Sequence, residues 1–393
     1  MRNILLERPE RFLKPCEISG EKLDLAIQKA LDKLERNLPN LTEGFAKTCS
    51  TDYKYLYGPN NHWECGMQNG ILWLAYELSG NKKFREAAEK QLLTFKERMD
   101  NKIGVDSHDV GFVFSPSCVG AYKVTGDESA KQLALDAADY YYNTSYSKKG
   151  GFILRSWKYP DFGTRTMMDT LMNAPLLFWA GQVTGRQEYT DAAISQNRIS
   201  EKYLIREDGS SFHHYQFDIE THEPLYGLTF QGYSNESCWS RGHSWGVYGF
   251  PIAYSYSKES YLMDVHKDIT YFMLNHLTDD LIPYWDYTLA GSKDAPRDSS
   301  AGAIAVCGMH EMCRHLPDDA PQKKIFESAA AQMLEAIIDH CTGDIGQEYD
   351  GLICHVTHAL PQGQGIDECA IYGDYFYLEA LMRFKNPQWN RYW

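Results

Sequence analysis

Three short stretches of the chain repeat one local pattern: Ala75-Tyr76-Glu77-Leu78-Ser79-Gly80, Ala121-Tyr122-Lys123-Val124-Thr125-Gly126 and Ala180-Gly181-Gln182-Val183-Thr184-Gly185. Each is followed by a charged stretch with an Ala-rich apolar face, so the pattern reads as helix, Gly stop, helix. Looser copies follow at Ala253 to Lys258, Met309 to Leu316 and Leu378 to Phe384. About six helical hairpins therefore fill the chain.

The hairpins contain two kinds of helix. Glu21 to Leu38, Lys82 to Met99, Ser129 to Asn143, Glu188 to Leu204 and Gln322 to Cys341 carry an apolar stripe of helical period and a charged face. Between them, Met67 to Leu78, Phe114 to Val124, Leu171 to Val183, Ser244 to Tyr256 and Ala301 to His315 are apolar or small most of the way round. Helices with so little polar face are buried on most sides. Alternating inner and outer helices close into an all-α (α/α)6 barrel whose inner helices run parallel. Arg206 to Ser237, which includes Ser211-Phe212-His213-His214-Tyr215, interrupts the repeat as a hairpin or long loop. Shorter insertions at Tyr287 to Ser300 and Gly346 to Cys369 precede the fifth and sixth inner helices.

No linker or low-complexity run divides the 393 residues, so a single domain is expected over 1–393, with 1–20 as an N-terminal extension. The net charge of −14 argues against nucleic acid and anionic membranes as partners. The aromatic share of 13% suits a carbohydrate groove as well as a core. Ten cysteines are scattered without a CxxC pair, and Cys313 between His310 and His315 lacks further ligands at metal spacing. Reduced thiols, no metal, no cofactor and a cytoplasmic location are the expectations, since residues 1–14 lack a signal-peptide core and no stretch is long enough to span a bilayer.

The repeat also places polar residues. Counting back about twelve residues, roughly three helical turns, from the Ala of each copy reaches Trp63, Asp109, Asp169, Arg241 and Glu368. Parallel inner helices would bring these to one mouth of the ring, beside free N–H groups that favour an anionic ligand. A lone Asp at a helix start is ordinarily an N-cap. Here Asp109 and Asp169 have company in His108, Arg165, Met168, His213, Gln231 and Arg241. Two carboxylates in a polar cleft can separate in pKa, leaving one as a general acid. That is glycosidase-like chemistry, with Trp63, Trp239 and Trp245 as sugar platforms and Arg241 and His213 as partners for a substrate carboxylate.

Ser107-His108-Asp109-Val110-Gly111-Phe112, Met168-Asp169-Thr170-Leu171-Met172-Asn173, Gln231-Gly232-Tyr233, Trp239-Ser240-Arg241-Gly242-His243-Ser244-Trp245-Gly246 and Gly373-Asp374-Tyr375-Phe376-Tyr377-Leu378-Glu379-Ala380-Leu381 resemble the motifs of unsaturated glucuronyl hydrolases. The resemblance runs from about Trp63 to about Arg383. It implies an (α/α)6 barrel that removes a 4,5-unsaturated uronic acid from the non-reducing end of oligosaccharides left by polysaccharide lyases. It also implies Asp169 as general acid/base, held protonated by the charge of Asp109 beside it, and Trp63, His108, His213, Gln231, Arg241 and Trp245 as substrate-site residues. His243 stands where the family commonly has Gln, and Met67 falls near a position that is aromatic in some relatives. Relatives that prefer sulfated glycosaminoglycan units use Ser and Lys in the C-terminal loop, whereas Pro361 to Ile371 contains neither. This favours unsulfated or differently sulfated units, from hyaluronan or chondroitin. The alternatives are a hydrolase of unsaturated galacturonyl or rhamnogalacturonyl units from pectin, a sugar-binding protein on the same ring, and an ordinary glycosidase or epimerase.

Overall fold

The computed structural model describes residues 2–343, 346 and 348–393. Met1, at the head of the N-terminal extension, and Gln347, within the third insertion, lie outside the described residues, as do Asp344 and Ile345. Six inner helical segments form the ring expected from the repeat. They are Cys65–Ser79, Val110–Phe114 with its continuation Gly120–Thr125, Thr170–Asn173 with its continuation Pro175–Thr184, Ser240–Ser257, Ser299–Cys313 and Ile371–Lys385. The outer layer consists of Gly20–Glu43, Lys82–Asp100, Glu128–Ser145, Gln187–Leu204, Tyr261–Asn275 and Pro321–Cys341. Each inner helix packs on the next, and the sixth returns to the first, closing the (α/α)6 barrel.

The turns between inner and outer helices follow the repeat. Gly80, Gly126 and Gly185 have φ of 69°, 74° and 74°, the left-handed conformation that ends a helix cheaply only at glycine. In the fourth hairpin Lys258 adopts it instead, with φ 58°. Glycines also set how closely the inner helices approach. A Cβ on Gly111 would lie 2.3 Å from Asn173 O, and one on Gly308 would lie 2.4 Å from Val247 O.

Two inner helices are less regular than their sequences suggest. The second begins at Val110 rather than Phe114 and passes through a π-helical turn, Ser115–Val119. Pro116 lies in that turn and has no N–H to give the α-helical ladder. The third is interrupted at Ala174, before Pro175. The outer helix Tyr261–Asn275 lacks a continuous charged face because residues 4–7 of the N-terminal extension lie on it, with Ile4 N donating to Asp268 Oδ1 at 3.3 Å.

The interruption at 206–237 contains the expected hairpin, strands His214–Phe217 and Pro224–Leu228. Arg165–Met167, one residue short of Asp169, pairs with its other edge, with Met167 opposite His214 and Arg165 opposite Gln216. This small antiparallel sheet stands at the N-terminal end of the third inner helix and forms one wall of the site.

Candidate active site

The N-terminal ends of the inner helices surround a cavity of about 180 Å³. Trp63, His108, Asp109, Asp169, Gln231, Arg241 and Trp245 line it, together with Arg155, Met167, His214, Phe230, Trp239, His358, Ala359 and Gln364. Seven of the eight residues expected at the site from sequence therefore meet at one cavity. The eighth, His213, stands behind Asp169, with its Nε2 3.6 Å from Asp169 Oδ2.

Asp109 and Asp169 both occupy the residue before the first turn of an inner helix, and neither side chain accepts a capping hydrogen bond. Asn173 ties the two helix starts together. Its Nδ2 donates to Asp169 O at 2.9 Å and its Oδ1 accepts from Phe112 N at 2.6 Å. The bare Cα of Gly111 permits this approach. Asp109 is met by Ser107 Oγ at 3.1 Å and by His108 Nε2 at 3.2 Å. Asp169 Oδ2 is buried without a hydrogen-bond partner, as are His213 Nε2, both ring nitrogens of His214, Trp239 Nε1 and Trp245 Nε1. Buried polar atoms are almost always paired, so this concentration marks a place built for a polar ligand.

The electrostatics differ from the sequence expectation. Burial pushes the Asp169 carboxyl up, but the facing His213 and nearby His108 outweigh it and hold the group below the usual carboxylate range. Asp109 is raised, first by burial and further by the charge of Asp169, with His108 opposing. In the free site the proton therefore resides more readily on Asp109, the reverse of the expected arrangement, because Asp169 has an imidazole in front of it. His213 is itself lowered below 6.5 by burial.

Arg241 also differs from expectation. Its Nη1 pairs with the buried Asp298 Oδ2 at 2.5 Å and donates to Thr357 O at 2.8 Å, while Nη2 donates to His358 O at 2.6 Å. The guanidinium lies 4.6 Å from the Trp239 ring and 4.8 Å from Tyr372. It pins the C-terminal loop that forms one wall and has internal partners for the charge that was expected to meet a substrate carboxylate. Asp298 could have been found from the repeat, since it lies eleven residues before Met309 of the fifth copy.

Glu368 does not join the cavity. Its carboxylate accepts from Ser50 Oγ, Asp52 N and Tyr53 N, anchoring the turn at 50–53. His243 is fully buried between Ser211 Oγ at 3.0 Å and Ile269 O at 2.8 Å, and Met67 is likewise buried, so neither shapes a subsite wall. Trp63 is half-buried and stacks on Tyr372 at 5.4 Å, while Trp245 packs on Phe112 at 5.1 Å and Phe376 at 5.4 Å. Arg155 and His358 are cavity residues without a motif in the sequence; tertiary pairing alone brings them there. The ten cysteines form no disulfide, and no helix among the described residues is long and apolar enough to cross a membrane.

The chain as a whole has known relatives. The chain is 42% identical to an unsaturated chondroitin disaccharide hydrolase of Streptococcus pneumoniae over 99% of its length and 98% of the relative's. The crystal structure of an unsaturated glucuronyl hydrolase from Streptococcus agalactiae superposes with a TM-score of 0.95 at 38% identity, covering 99% of this chain and 98% of that one. A variant of that enzyme complexed with dGlcA-GalNAc6S matches with a TM-score of 0.88 at 35% identity, covering all of both chains. The sequence profile of glycosyl hydrolase family 88 matches residues 40–373, and the chain belongs to that family.

Proposed function

We propose that this glycoside hydrolase releases 4,5-unsaturated glucuronic acid from the non-reducing end of lyase-generated glycosaminoglycan fragments, with Asp169 as the acid that protonates the substrate. The observation that carries the reading is the pair of uncapping carboxylates on adjacent inner helices, with an unpartnered Asp169 oxygen at a cavity ringed by other unpartnered polar atoms. The substrate names of the relatives, chondroitin disaccharide and glucuronyl, support the substrate class.

The chemistry follows from the enol ether. Protonation at C4 places positive character at C5, where the ring oxygen stabilises it. Water adds at C5 as one of its protons passes to the Asp169 carboxylate, and the resulting hemiketal opens at the C5–O5 bond, with O5 taking the hydroxyl proton. C1, now a hemiacetal, expels the remaining sugar. The separation of the two carboxylates does not decide stereochemistry in this case, because displacement at the anomeric carbon does not begin the reaction. Entry of an anionic uronate displaces water from the cavity and adds a negative charge near Asp169. Both effects favour its protonated form, so the acid is armed by binding. Asp109 assists as the neighbouring carboxyl that already holds a proton more readily. Trp63 and Trp245 present ring surface to the sugar, with His108, His213, Gln231 and Arg241 positioning the polar groups around it.

The test is the ultraviolet absorbance of an unsaturated chondroitin or hyaluronan disaccharide, which is lost when the C4=C5 bond is hydrated. The wild type should remove the signal, and Asp169→Asn should reduce kcat by several orders of magnitude with an unchanged circular dichroism spectrum, since an amide cannot donate the proton. Near-normal turnover by Asp169→Asn would refute the assignment. Activity on unsaturated galacturonyl substrates only would favour the pectin alternative.

A further inference from the structure

Arg155 lines the cavity, and Arg165, on the edge strand of the small sheet, lies beside it. Arg155 N donates to Arg165 O at 2.8 Å, which fixes the two backbones as neighbours, and Arg155 O accepts from His108 N at 3.0 Å. Both side chains are half-buried. Arg165 Nε donates to the neutral amide of Gln216 at 2.5 Å, and Arg155 stacks over Phe162 at 4.8 Å. Among the described residues neither guanidinium forms an ion pair, although the chain carries fourteen more acidic than basic side chains. The nearby Lys158, by contrast, is paired with Asp106 at 3.4 Å. Burial lowers the Arg165 guanidinium and the charge of the adjacent Arg155 lowers it further, while Arg155 also acts on the Asp109 carboxyl, favouring its charged form.

A second observation is independent of the arginines. His214 is 1% exposed, lines the same cavity, and has both ring nitrogens unpartnered. It stands opposite Met167 in the small sheet, two residues along the strand from Arg165, and the charges of Arg155 and Arg165 add to burial in keeping the ring neutral. A buried neutral imidazole has one N–H to donate, and two guanidinium groups offer further donors in planar forks suited to an oxyanion. The other basic residue at the cavity, Arg241, is occupied by Asp298 and two carbonyls. On the opposite wall the C-terminal loop contributes His358, Ala359 and Gln364 and no Lys or Arg.

We infer that Arg155, Arg165 and His214 form an oxyanion subsite that binds an acidic group of the substrate. Two groups of the proposed substrate share this chemistry: a sulfate ester on the leaving sugar, and the carboxylate of the unsaturated ring itself. The position of the arginine pair toward the rim, with Phe162 40% exposed beneath Arg155, favours the sulfate ester. The inference rests on the proposed function, because it assigns a part of that substrate to a part of that site.

The test measures kcat/KM on unsulfated, 4-sulfated and 6-sulfated unsaturated chondroitin disaccharides for the wild type, Arg155→Gln, Arg165→Gln and Arg155→Lys. A sulfate at the pair gives the wild type a preference for one sulfated disaccharide, and both Gln variants reduce its ratio to the unsulfated compound by tenfold or more. A uronate carboxylate there gives an equal rise in KM of tenfold or more on all three substrates, partly reversed in Arg155→Lys. KM values within twofold of wild type on every substrate in both Gln variants would overturn the subsite. A wild type inactive on all three disaccharides would overturn the functional reading itself, which separates the two failures.

Discussion

Glu64, Asp109, Asp169 and Asp298 each occupy the residue before an inner helix, and none caps it with its side chain. Their energetic situations differ. Asp298 is paired with Arg241, Asp109 is held by Ser107 and His108, and Asp169 faces His213 at 3.6 Å with no hydrogen bond to Oδ2. For Asp169, a carboxyl below its usual range in the free enzyme, the sign of the pH effect can be worked out. In the proposed mechanism only the protonated acid reacts, so kcat/KM, which reports the free enzyme, should fall with rising pH from an early point. The kcat limb, which reports the complex, should lie at higher pH because the bound uronate favours the protonated form. Parallel limbs in the two profiles would show that binding does not arm the acid. Glu64, fully buried and bonded to Thr48 through one oxygen, is pushed up to about 7 by burial, with Asp109 adding to the effect. The folded state therefore holds this proton more tightly than the unfolded chain. Stability is highest at low pH on this account and is lost as pH rises toward 7, by up to about 3 kcal/mol. Glu64→Gln should reduce the drop in stability between pH 5 and pH 8, measured by urea melts. It should not abolish the drop, because Asp374 is also pushed up to about 7.

At the scale of elements, the site depends on how closely inner helices pack. Gly111→Ala forces a Cβ to within 2.3 Å of Asn173 O, at the contact that joins the helices bearing Asp109 and Asp169. Backbone cannot yield as a flexible side chain does, so the two helix starts must separate. Gly126→Ala meets open space and strains only its own φ of 74°, a cost of about 1 kcal/mol. The expected result is a lower Tm in both, with kcat falling at least tenfold in Gly111→Ala alone. Equal kcat in the two would show that the carboxylate spacing is not set at this crossing. The same scale explains what could be read from sequence. The Ala-to-Gly copies located three left-handed turns, and their register led to Trp63, Asp109, Asp169 and Arg241 because helix length is nearly constant from hairpin to hairpin. The register misled at Glu368, where the loop before the sixth inner helix folds back on Ser50, Asp52 and Tyr53. The same-sign pair Arg155 and Arg165 had no local signal, since ten residues separate them in sequence and only backbone pairing makes them neighbours.

For the molecule as a whole, the two ends of the chain bear on opposite parts of the barrel. The N-terminal extension straps outer helices. Arg2 pairs with Glu201 at 2.7 Å, Glu7 N donates to Asn275 Oδ1 at 2.9 Å, Arg11 donates to Leu277 O at 2.9 Å, and Lys14 O accepts from Ser328 at 2.7 Å. Phe12 is buried beneath it. None of these residues lines the cavity. The last residues instead enter the barrel from the far side. The Trp393 ring lies 5.9 Å from Phe376 and 6.1 Å from Phe112, and its Nε1 donates to Glu379 at 2.9 Å. Phe112 in turn touches Trp63 and Trp245, both cavity residues, so the plug supports the aromatic floor of the site. Truncating a buried Trp costs about 3–5 kcal/mol, and removing the strap sacrifices several hydrogen bonds at about 1 kcal/mol each together with the burial of Phe12. The two changes should therefore lower Tm comparably, but they should separate in kinetics on an unsaturated disaccharide. Deletion of residues 2–14 should leave KM within twofold of the full chain, whereas Trp393→Ala should raise it several-fold as Phe112 relaxes toward the vacated space. A Trp393→Ala enzyme with unchanged KM would show that the floor is held by Phe376 and Tyr375 without the plug.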